Sequence, residues 1–473
     1  MNYKGILFFI GIYSLLVSFF SIINIFYSIY FDFIIGLNSY LITFLISLIS
    51  GSIFYFIGRN YYKNISLLDQ IIFILLSFIF IPVLISIPYY FSIYDLSLLN
   101  SYFESVSGFT TTGFSIIRNI ENIDEPLKLW RSSSQWIGGF IFILSTIGTI
   151  GSRQIKIKPA YLISGGASGK NFYNNFYYNF IKIFVIYLIS TIVIIFLYAL
   201  IDLRLLDSVN LALTTISSGG FVPEINLSNI LKNNLQIFVF SITLLFPIFN
   251  FFLFYDIISR KFSLKRYQED LHLAFLIILI TLLLYFFVIS DSNFANVFFA
   301  ITSSISTSGI TTYSSNIDLS LFFILLTIVG GSLISSSSGF KYTRIYIILK
   351  TSYQEIYRLV KPINITDKNL FNSEAKIDDQ DLRISFLVFI SFIISIFILS
   401  SLLTLDYLTF ENSFKLSILT LTNTVSSTLY GVENLSFLDL KNFTKVSLIF
   451  FMILGRVEII AVLYLIKRFI FKE

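Results

Sequence analysis

A short stretch rich in Ser, Thr and Gly recurs four times along the chain, each time between two apolar segments of membrane-spanning length. The four copies read SGFTTTGF (107–114), TTISSGGF (214–221), SSISTSGI (303–310) and TNTVSSTL (422–429). If they converge on one axis, their backbone carbonyls and hydroxyls form a ring of oxygen ligands, which is the chemistry of an ion selectivity filter. The recurrence therefore predicts the pore-forming part of a cation channel or transporter.

The composition is that of a polytopic membrane protein. Hydrophobic residues make up 56% of the 473 residues, charged residues 12%, and the mean hydropathy is +0.84. A soluble domain carries about 25% charged residues. With no Cys and one His, His272, the chain offers no thiolate metal site, no disulfide and no Ser-His or Cys-His nucleophile. We therefore expect that the chain is not an enzyme. We expect it to lie in a lipid bilayer and to bind no nucleic acid.

Apolar runs long enough to cross about 30 Å of hydrocarbon predict ten membrane-spanning helices. They lie at residues 6–30, 33–57, 71–91, 137–150, 180–200, 235–257, 271–289, 319–338, 384–403 and 446–465. The first run is followed at once by the second, without a small-residue cleavage site, which indicates a retained helix rather than a cleaved signal peptide. An even number of spans places both termini on one side of the membrane.

Basic residues collect in alternate loops, which is typical of loops retained in the cytoplasm. They follow the even-numbered spans: Arg59, Lys63, Arg153, Lys156, Lys158, Lys170, Arg260, Lys261, Lys265, Arg266, Lys341, Arg344, Lys350, Arg358, Lys361, Lys467, Arg468 and Lys472. We therefore expect a multi-pass protein of the cell (inner) membrane with both termini in the cytoplasm. The opposite loops are acidic and would concentrate cations, although ordinary topology bias explains the asymmetry equally well.

The chain after the first two spans repeats a unit of span, re-entrant segment and span. Gly113, Gly220 and Gly309 recur at a period of about 100 residues, which indicates internal duplication. We divide the chain into an N-terminal helix pair (1–69) and pore repeats at 70–170, 171–266, 267–382 and 383–473. The predicted fold is all-α, with four pseudo-repeated helix–pore loop–helix units around one central pore.

A short apolar segment precedes each loop, at residues 98–107, 207–216, 293–304 and 412–421. Such segments are too short to span but suit half-helices, which membranes tolerate where they line a water-filled cavity. Asp207 and Asn293 are expected as N-caps, and the carboxyl ends would aim partial negative charge at the centre. Close helix packing through small residues explains any single loop, but four equivalent loops favour a pore.

Several longer motifs resemble the Trk/Ktr/HKT superfamily of potassium transporters, specifically the TrkH type. They are FESVSGFTTTGF (103–114), LWRSSSQWIGGF (129–140), GGSLISSSSGFKYTR (330–344), KPINITDKNLF (361–371) and LGRVEI (454–459). Their order and spacing cover essentially the whole chain, including a helix pair before the first pore unit. The resemblance implies potassium uptake across the membrane, with K⁺ as the transported ion.

The resemblance assigns the potassium-binding filter to three residues in each loop. They are Thr111, Thr112 and Gly113; Ser218, Gly219 and Gly220; Thr307, Ser308 and Gly309; and Asn423, Thr424 and Val425. Glycine suits this role because it adopts φ > 0 freely, so that successive carbonyls can face one dehydrated ion.

The fourth loop departs from the family pattern. TrkH-type members carry Asn-x-Gly-Pro-Gly where this chain has Asn-Thr-Val-Ser-Ser at residues 423–427. Because a β-branched Val is poorly suited to positive φ, we expect one carbonyl to turn away at Val425, or an asymmetric ring. This leaves a sodium-coupled or weakly selective monovalent cation transporter on the same fold as the alternative function.

An arginine lies within the last predicted span. A charge at that depth is costly unless it faces a cavity or a partner. The resemblance places Arg456 in the ion pathway below the filter, as an electrostatic barrier to cations. A structural interaction with Glu458 is the alternative, although residues two apart on a helix do not face each other.

A second candidate gate interrupts the eighth predicted span. The run at residues 330–339, which we name the glycine-serine run, holds five serines and three glycines, Gly330, Gly331 and Gly339, and so makes a weak helix. The resemblance makes it an intramembrane loop that obstructs the pore and moves on activation, with Lys341 just after it. A tight helix contact through small residues is the alternative.

Nothing in the sequence resembles a nucleotide-binding unit, since it has no Walker motif and no glycine-rich turn within a βαβ unit. We therefore expect no cofactor in this chain. The resemblance implies a homodimer and a cytosolic ring of RCK (TrkA-type) subunits that bind nucleotide. Candidate docking surfaces are residues 153–170 and 351–382, which would serve equally well as solvated connectors. A membrane enzyme or a non-conducting scaffold is disfavoured, because the spans bring together no His, Cys or paired carboxylates.

Overall fold

The computed structural model of the chain describes residues 2–62, 66–92, 94, 96–150, 176–224, 227–260, 263–288, 293–312, 318–361, 369–371, 376–406, 408–432, 435–457 and 459–471. Within these residues the regular structure is helical, apart from an isolated β-bridge between Asn369 and Lys376. The predicted all-α fold is therefore confirmed.

The helices follow one plan four times, after an N-terminal pair at Tyr3–Tyr30 and Ile34–Gly58. The first repeat has Leu67–Tyr90, Leu98–Phe109 and Glu125–Ile150; the second has Phe176–Leu200, Leu205–Ile216, Asn234–Thr243, Leu245–Ile248 and Phe251–Ile258. The third has Gln268–Phe287, Phe294–Ile305, Ser320–Val329 and Tyr342–Val360; the fourth has Asp379–Thr404, Phe410–Leu421, Asn442–Arg456 and Ile459–Phe471. In each repeat the second helix thus has 12 residues and follows a helix of at least 20 residues.

Six of the described helices are long and apolar enough to cross a membrane, and a bent pair of helices would add a seventh. The other predicted spans are polar or interrupted. Glu125–Ile150 carries Lys128 and Arg131 in its first half. The eighth span stops at Val329 and resumes at Tyr342, so the predicted break is confirmed. The last one breaks after Arg456.

The short helices at Leu98–Phe109, Leu205–Ile216, Phe294–Ile305 and Phe410–Leu421 are the predicted half-helices, and we number them one to four. Their carboxyl halves are fully buried. On the half-helices, only the first residues, Leu98, Leu205, Phe294 and Phe410, are exposed large apolar side chains, whereas such side chains occur along the length of the long helices, for example at Phe56 and Phe275. This distribution is what a bilayer dictates, because lipid accepts apolar side chains while the loops that follow the half-helices need partners inside the protein.

One of the two predicted N-caps is confirmed in position and the other is wrong. Asp207 lies in the first turn of half-helix two, whose N-cap is Arg204, so that prediction is wrong. An acidic side chain is favourable both at the cap and in the first turn, because both lie near the positive end of the helix dipole. Asn293 is the N-cap residue of half-helix three, as predicted, but its side chain accepts no hydrogen bond from the helix, and its side-chain amide donates to Asn234 Oδ1 at 3.2 Å.

Candidate ion pathway

All four loops leave their half-helices through the same backbone turn. The second residue after each helix has a left-handed backbone, with φ of 58° at Thr111, 56° at Ser218, 61° at Thr307 and 48° at Asn423. In each loop the next amide donates to a carbonyl five residues back: Thr112 to Ser107 (2.9 Å), Gly219 to Thr214 (2.8 Å), Ser308 to Ser303 (3.2 Å) and Thr424 to Leu419 (2.9 Å). This pair of features is the Schellman motif, which turns the chain in the same direction four times.

The third filter position divides the loops into two pairs. Gly113 and Gly309 have φ of 84° and 69°, whereas neither Gly220 nor Val425 is among the described residues with positive φ. The backbone at Val425 therefore has no positive φ that would favour glycine. The expectation that Val425 must adopt positive φ is wrong. The ring is therefore asymmetric: the backbone at the third position has positive φ in loops one and three and not in loops two and four.

The four loops meet, and each contacts the next around a ring. Asn423 Nδ2 donates to Thr112 Oγ1 at 3.0 Å, which joins loops four and one. A Cβ atom built on the filter glycines reveals the other contacts: from Gly113 it would lie 2.8 Å from Gly220 Cα, from Gly220 3.0 Å from the Ser308 carbonyl, and from Gly309 2.8 Å from Thr424 Cγ2. The twelve residues assigned to the filter are therefore brought together.

A buried ion pair supports loop one from behind. Glu104 Oε1 accepts from Arg131 Nε at 3.1 Å and from the Ser115 hydroxyl at 3.0 Å, while Oε2 accepts from the Ile116 amide at 2.8 Å. The Arg131 guanidinium also lies 4.1 Å above the ring of Phe221, the residue that follows the filter in loop two. One pair of charges thus contacts two neighbouring loops, and neither residue was assigned a role from the sequence.

Loop two rests on a glutamine. Gln135 Oε1 accepts a hydrogen bond from the Phe221 amide at 3.2 Å. A Cβ on Gly219 would overlap Gln135 Oε1, so glycine is required there by space rather than by φ. Both Gln135 and Arg131 belong to the LWRSSSQWIGGF motif, which therefore contacts loops one and two through these two side chains.

The glycine-serine run lies against one end of the ring. Ser338 donates its amide to Thr307 Oγ1 at 3.0 Å and its hydroxyl to Asn423 Oδ1 at 3.2 Å, and Ser218 donates its hydroxyl to the Ser336 carbonyl at 3.0 Å. Ser218, Thr307 and Asn423 are the left-handed residues of loops two, three and four. The run therefore packs against the first of the three assigned filter residues in each of these loops.

The run closes on itself at its two ends. Gly330 and Gly339 have φ of 63° and 83°, and a Cβ on Gly339 would lie 3.1 Å from Gly330 Cα. Gly331 packs against the Ile248 carbonyl, which a Cβ there would approach to 2.5 Å. These glycines permit backbone conformations and close approaches that a regular helix does not contain. They therefore explain why the eighth span breaks here.

Two interrupted spans satisfy each other's backbone groups. The amides of Ser332 and Ser337 donate to the carbonyls of Ile248 (2.8 Å) and Pro247 (3.0 Å), and the Phe251 amide donates to the Ile334 carbonyl (2.8 Å). The helices on either side of this second break are bent by 101°. Because a hydrocarbon environment offers no hydrogen bonds, irregular backbone at this depth needs such protein partners.

Two adjacent carboxylates hold both breaks, and sequence reasoning missed them. Glu269 accepts from the Leu333 amide at 2.9 Å and from the Thr343 hydroxyl, while Asp270 accepts from the Asn250 amide at 2.8 Å. Both side chains are buried. The sequence does show two neighbouring acidic residues at the start of an apolar span. A solvated helix terminus is the simpler interpretation of that pattern.

Arg456 is fully buried beneath the ring. Its guanidinium donates to the Ser338 hydroxyl and, at 3.4 Å, to the Ser217 carbonyl, and it lies 3.8 Å above the ring of Phe142. It therefore touches the run and loop two through uncharged groups. Glu458, the alternative partner, lies outside the described residues.

Lys341 adds a second cation at the same place. Its ammonium donates to the Ser335 carbonyl at 3.2 Å, the Ser335 hydroxyl at 3.1 Å and the Ser337 carbonyl at 2.6 Å, and it lies 5.3 Å from the centre of the Phe142 ring. One aromatic ring thus faces two cations, which is a favourable cation–π arrangement. Two positive charges therefore lie beside the glycine-serine run, where the run contacts the loops.

The candidate docking surfaces are only partly described. Residues 153–170 lie outside the described residues, and of 351–382 the structure describes 351–361, 369–371 and 376–382. The helix Tyr342–Val360 begins directly after Lys341 and exposes Ile356 and Leu359 near its carboxyl end. Phe371 packs its ring on Tyr346, with 4.2 Å between centroids, which fixes part of the KPINITDKNLF motif to this helix.

No group of three or more His, Cys, Asp or Glu residues in the described part of the chain is placed to hold a metal ion. The ligands that the ring offers are backbone carbonyls, hydroxyls and the Asn423 amide. Uncharged oxygen ligands of this kind suit a monovalent alkali cation that must also be released.

Known proteins of similar sequence and fold are membrane transporters. The chain matches no protein-family model. It is 28% identical over 497 aligned residues to an uncharacterized cation transporter of Methanocaldococcus jannaschii, covering 99% of this chain and 96% of that one. It is 26% identical to the Trk system potassium uptake protein TrkG of Escherichia coli, covering 86% of each chain.

The fold matches a solved structure over its whole length. The crystal structure of the potassium transporter TrkH from Vibrio parahaemolyticus superposes with a TM-score of 0.84 over 98% of both chains, at 22% identity. The helix plan described above is therefore that of a TrkH transporter. The predicted resemblance to TrkH-type transporters is therefore confirmed, in sequence by relatives named as Trk potassium uptake proteins and in fold by the TrkH structure.

Proposed function

We propose that the chain takes up potassium ions across the cell membrane through the ring of four loops. The observation that carries this proposal is the same Schellman turn in all four loops, which aims the same stretch of backbone at one centre. The relatives named for potassium uptake support the choice of ion. Those relatives are transporters, so the chain is not an enzyme.

The ring attracts a cation through the backbone. Four half-helices end at the loops, and the carboxyl end of a helix carries a partial negative charge of about half an electron. Carbonyl oxygens in the loops replace the hydration shell of the ion. Because Thr111, Ser218, Thr307 and Asn423 share one conformation, the first oxygen layer is common to all four loops even though their side chains differ.

The glycine-serine run and Arg456 form the gate in this proposal. The run hydrogen-bonds to three of the four loops, and Arg456 holds Ser338 from the other side. A positive charge next to the exit opposes a cation, so opening requires the run and the arginine to move away together. The hydrogen bonds between the run and the loops that must break are few and lie at Ser336 and Ser338.

A cytosolic regulatory subunit would act through the helix that follows the run. Tyr342–Val360 starts directly after Lys341, whose ammonium binds two serines of the run. A partner of the nucleotide-binding RCK type that pulls on this helix would therefore pull on the run. We place the regulatory contact on residues 351–361, and we infer a homodimer with both termini in the cytoplasm.

The alternative function is weakly selective or sodium-coupled transport, suggested by the missing glycines of loop four. Neither Val425 nor Gly220 has a positive φ, so the valine gives no reason to expect that its carbonyl turns away from the ring. We therefore favour potassium, and competition of sodium against potassium for rubidium uptake distinguishes the two.

The proposal is tested by growth of a bacterium that lacks its own potassium uptake systems. Expression of the chain together with its cytosolic partner should restore growth in low-potassium medium. The variant Gly113→Asp should abolish this rescue while reaching the membrane in equal amount, because a carboxylate would intrude where Gly220 Cα lies close by. Equal growth with Gly113→Asp would contradict a pathway through the ring.

A further inference from the structure

Val425 is the one residue with a side chain at the third filter position. The equivalents in loops one, two and three are Gly113, Gly220 and Gly309. A valine among three glycines narrows the ring at this level only if its isopropyl group points inward. The contacts of the glycines decide this point.

The position that a Cβ atom would occupy on each of the three glycines lies close to the side chain of Val425. A Cβ built on Gly220 would lie 2.5 Å from Val425 Cβ, one on Gly113 3.1 Å from the same atom, and one on Gly309 2.9 Å from Val425 Cγ1. Since a carbon–carbon bond is about 1.5 Å long, Val425 Cβ lies within about 4 Å of Gly220 Cα. This is van der Waals contact, so no dehydrated cation fits between the two.

The contact between Val425 and Gly220 crosses the ring. Loop four is the neighbour of loops one and three, through Thr112 and Gly309, whereas loop two is opposite to it. A side chain of loop four that reaches loop two must therefore lie on or near the central axis. Val425 is half-buried, as expected for a group at the mouth of a pathway.

The constriction lies at the end of the filter away from the glycine-serine run. The run contacts Ser218, Thr307 and Asn423, which are the first filter residues of their loops, and Val425 is two residues further along. The oxygen layers of the filter are therefore enclosed between two barriers. One is polar and cationic, and the other is apolar.

We propose that Val425 is a steric constriction of the pathway and determines the largest alkali cation that the chain carries. This inference rests on the proposed function. An ion passes when the isopropyl group or loop four moves aside, and the space gained is limited by the Cβ atom and its two methyl groups. Removing the methyl groups widens the ring in part, and removing the Cβ atom as well leaves four glycines at this level, through which larger ions pass.

The test is the uptake of potassium and caesium into liposomes that contain the full chain with its cytosolic partner. We expect little caesium uptake by the unmodified chain, and a rise in the caesium-to-potassium ratio of threefold or more in Val425→Ala and further in Val425→Gly. Val425→Thr preserves the shape and should stay within twofold of the unmodified chain. Val432→Ala, a buried valine outside the ring, is the matched control.

The outcomes separate this inference from the function on which it rests. Potassium uptake with an unchanged caesium ratio in both Val425→Ala and Val425→Gly overturns the constriction and leaves the function intact. A rise in Val425→Thr equal to that in Val425→Gly also overturns it, because shape would not be the cause. Absence of any alkali cation uptake by well-folded protein overturns the proposed function and this inference together.

A second measurement does not depend on ion size. The chain contains no Cys, so Val425→Cys introduces its only thiol. A charged thiol reagent should modify this residue and reduce potassium uptake at least tenfold. In Asn442→Cys, at an exposed helix start, the reagent should react without changing uptake. Modification of Val425→Cys that leaves uptake unchanged overturns the placement of the side chain on the axis.

Discussion

Arg131 and Glu104 form a buried ion pair, with 3.1 Å between Arg131 Nε and Glu104 Oε1, directly behind the turn from filter loop one. The second carboxylate oxygen receives the Ile116 amide, two residues after the loop. The pair therefore couples the span Glu125–Ile150 to the shape of the filter. Its effect on transport and its effect on stability should be measurable separately.

Glu104→Gln should lower both stability and uptake. Removing one partner of a buried ion pair costs about 3–5 kcal/mol, because the remaining charge is left uncompensated. We expect a lower unfolding temperature and potassium uptake reduced at least tenfold. Asp439→Asn is the control, since it removes the partner of Arg118 in a pair whose two side chains are more than half exposed. A Glu104→Gln variant with normal uptake would contradict the supporting role.

Arg456→Ala and Ser338→Ala should raise potassium uptake measured without the cytosolic partner. Arg456 donates to the Ser338 hydroxyl, and hydrogen bonds to charged groups contribute about 1.5–3 kcal/mol, which corresponds to about tenfold or more in an opening equilibrium. Deletion of the serine run should act in the same direction. Ser447→Ala, on the same helix as Arg456, is the control. Constant or reduced basal uptake in well-folded variants would refute the gate.

Gly113→Ala should abolish uptake at a modest cost in stability. Gly113 has φ of 84°, and a Cβ there would approach Gly220 Cα to 2.8 Å. A left-handed backbone at a residue other than glycine costs about 1–2 kcal/mol. Gly431→Ala is a matched control, because Gly431 has φ of 61° outside the ring and its Cβ would meet the flexible end of Lys415. Both variants should lose the stability that the left-handed backbone costs, and only Gly113→Ala should lose transport.

Glu269→Ala should loosen the gate. It removes the acceptor of the Leu333 amide in the glycine-serine run and of the Thr343 hydroxyl. Leaving a buried donor unsatisfied costs about 1–3 kcal/mol. We expect a lower unfolding temperature together with raised uptake in the absence of the partner. Glu411→Ala, which removes a mostly exposed carboxylate, should change neither property. Reduced stability with unchanged basal uptake would limit Glu269 to a structural role.

The repeat plan could be predicted from the sequence because its signals are local. Run length distinguishes the half-helices from the spans, and the glycines and serines of residues 330–339 mark the break in the eighth span. The turns after the half-helices could not be predicted in detail. A Schellman motif is usually marked by glycine, whereas this chain has Thr111, Ser218, Thr307 and Asn423 there. The side chains of the last three hydrogen-bond to the glycine-serine run, and that of Asn423 also to loop one.

The supporting residues are invisible in the sequence for a different reason. Glu269 reaches a backbone amide 64 positions away, and Arg131 reaches Glu104 across 27 positions. Local patterns do not carry such pairings. The position of Val425 needed the same information, since an argument from φ alone suggested a distorted carbonyl, while the contacts of three glycines indicate a side chain on the axis.

The most direct test of potassium uptake through this ring is rubidium uptake into liposomes that contain the purified chain, with and without its cytosolic partner. External potassium and sodium are compared as competitors at equal concentration. The account predicts that potassium blocks rubidium uptake strongly, that sodium hardly affects it, and that Gly113→Asp shows no uptake. Equal competition by sodium and potassium would contradict potassium selectivity and would favour a broader alkali-cation pathway.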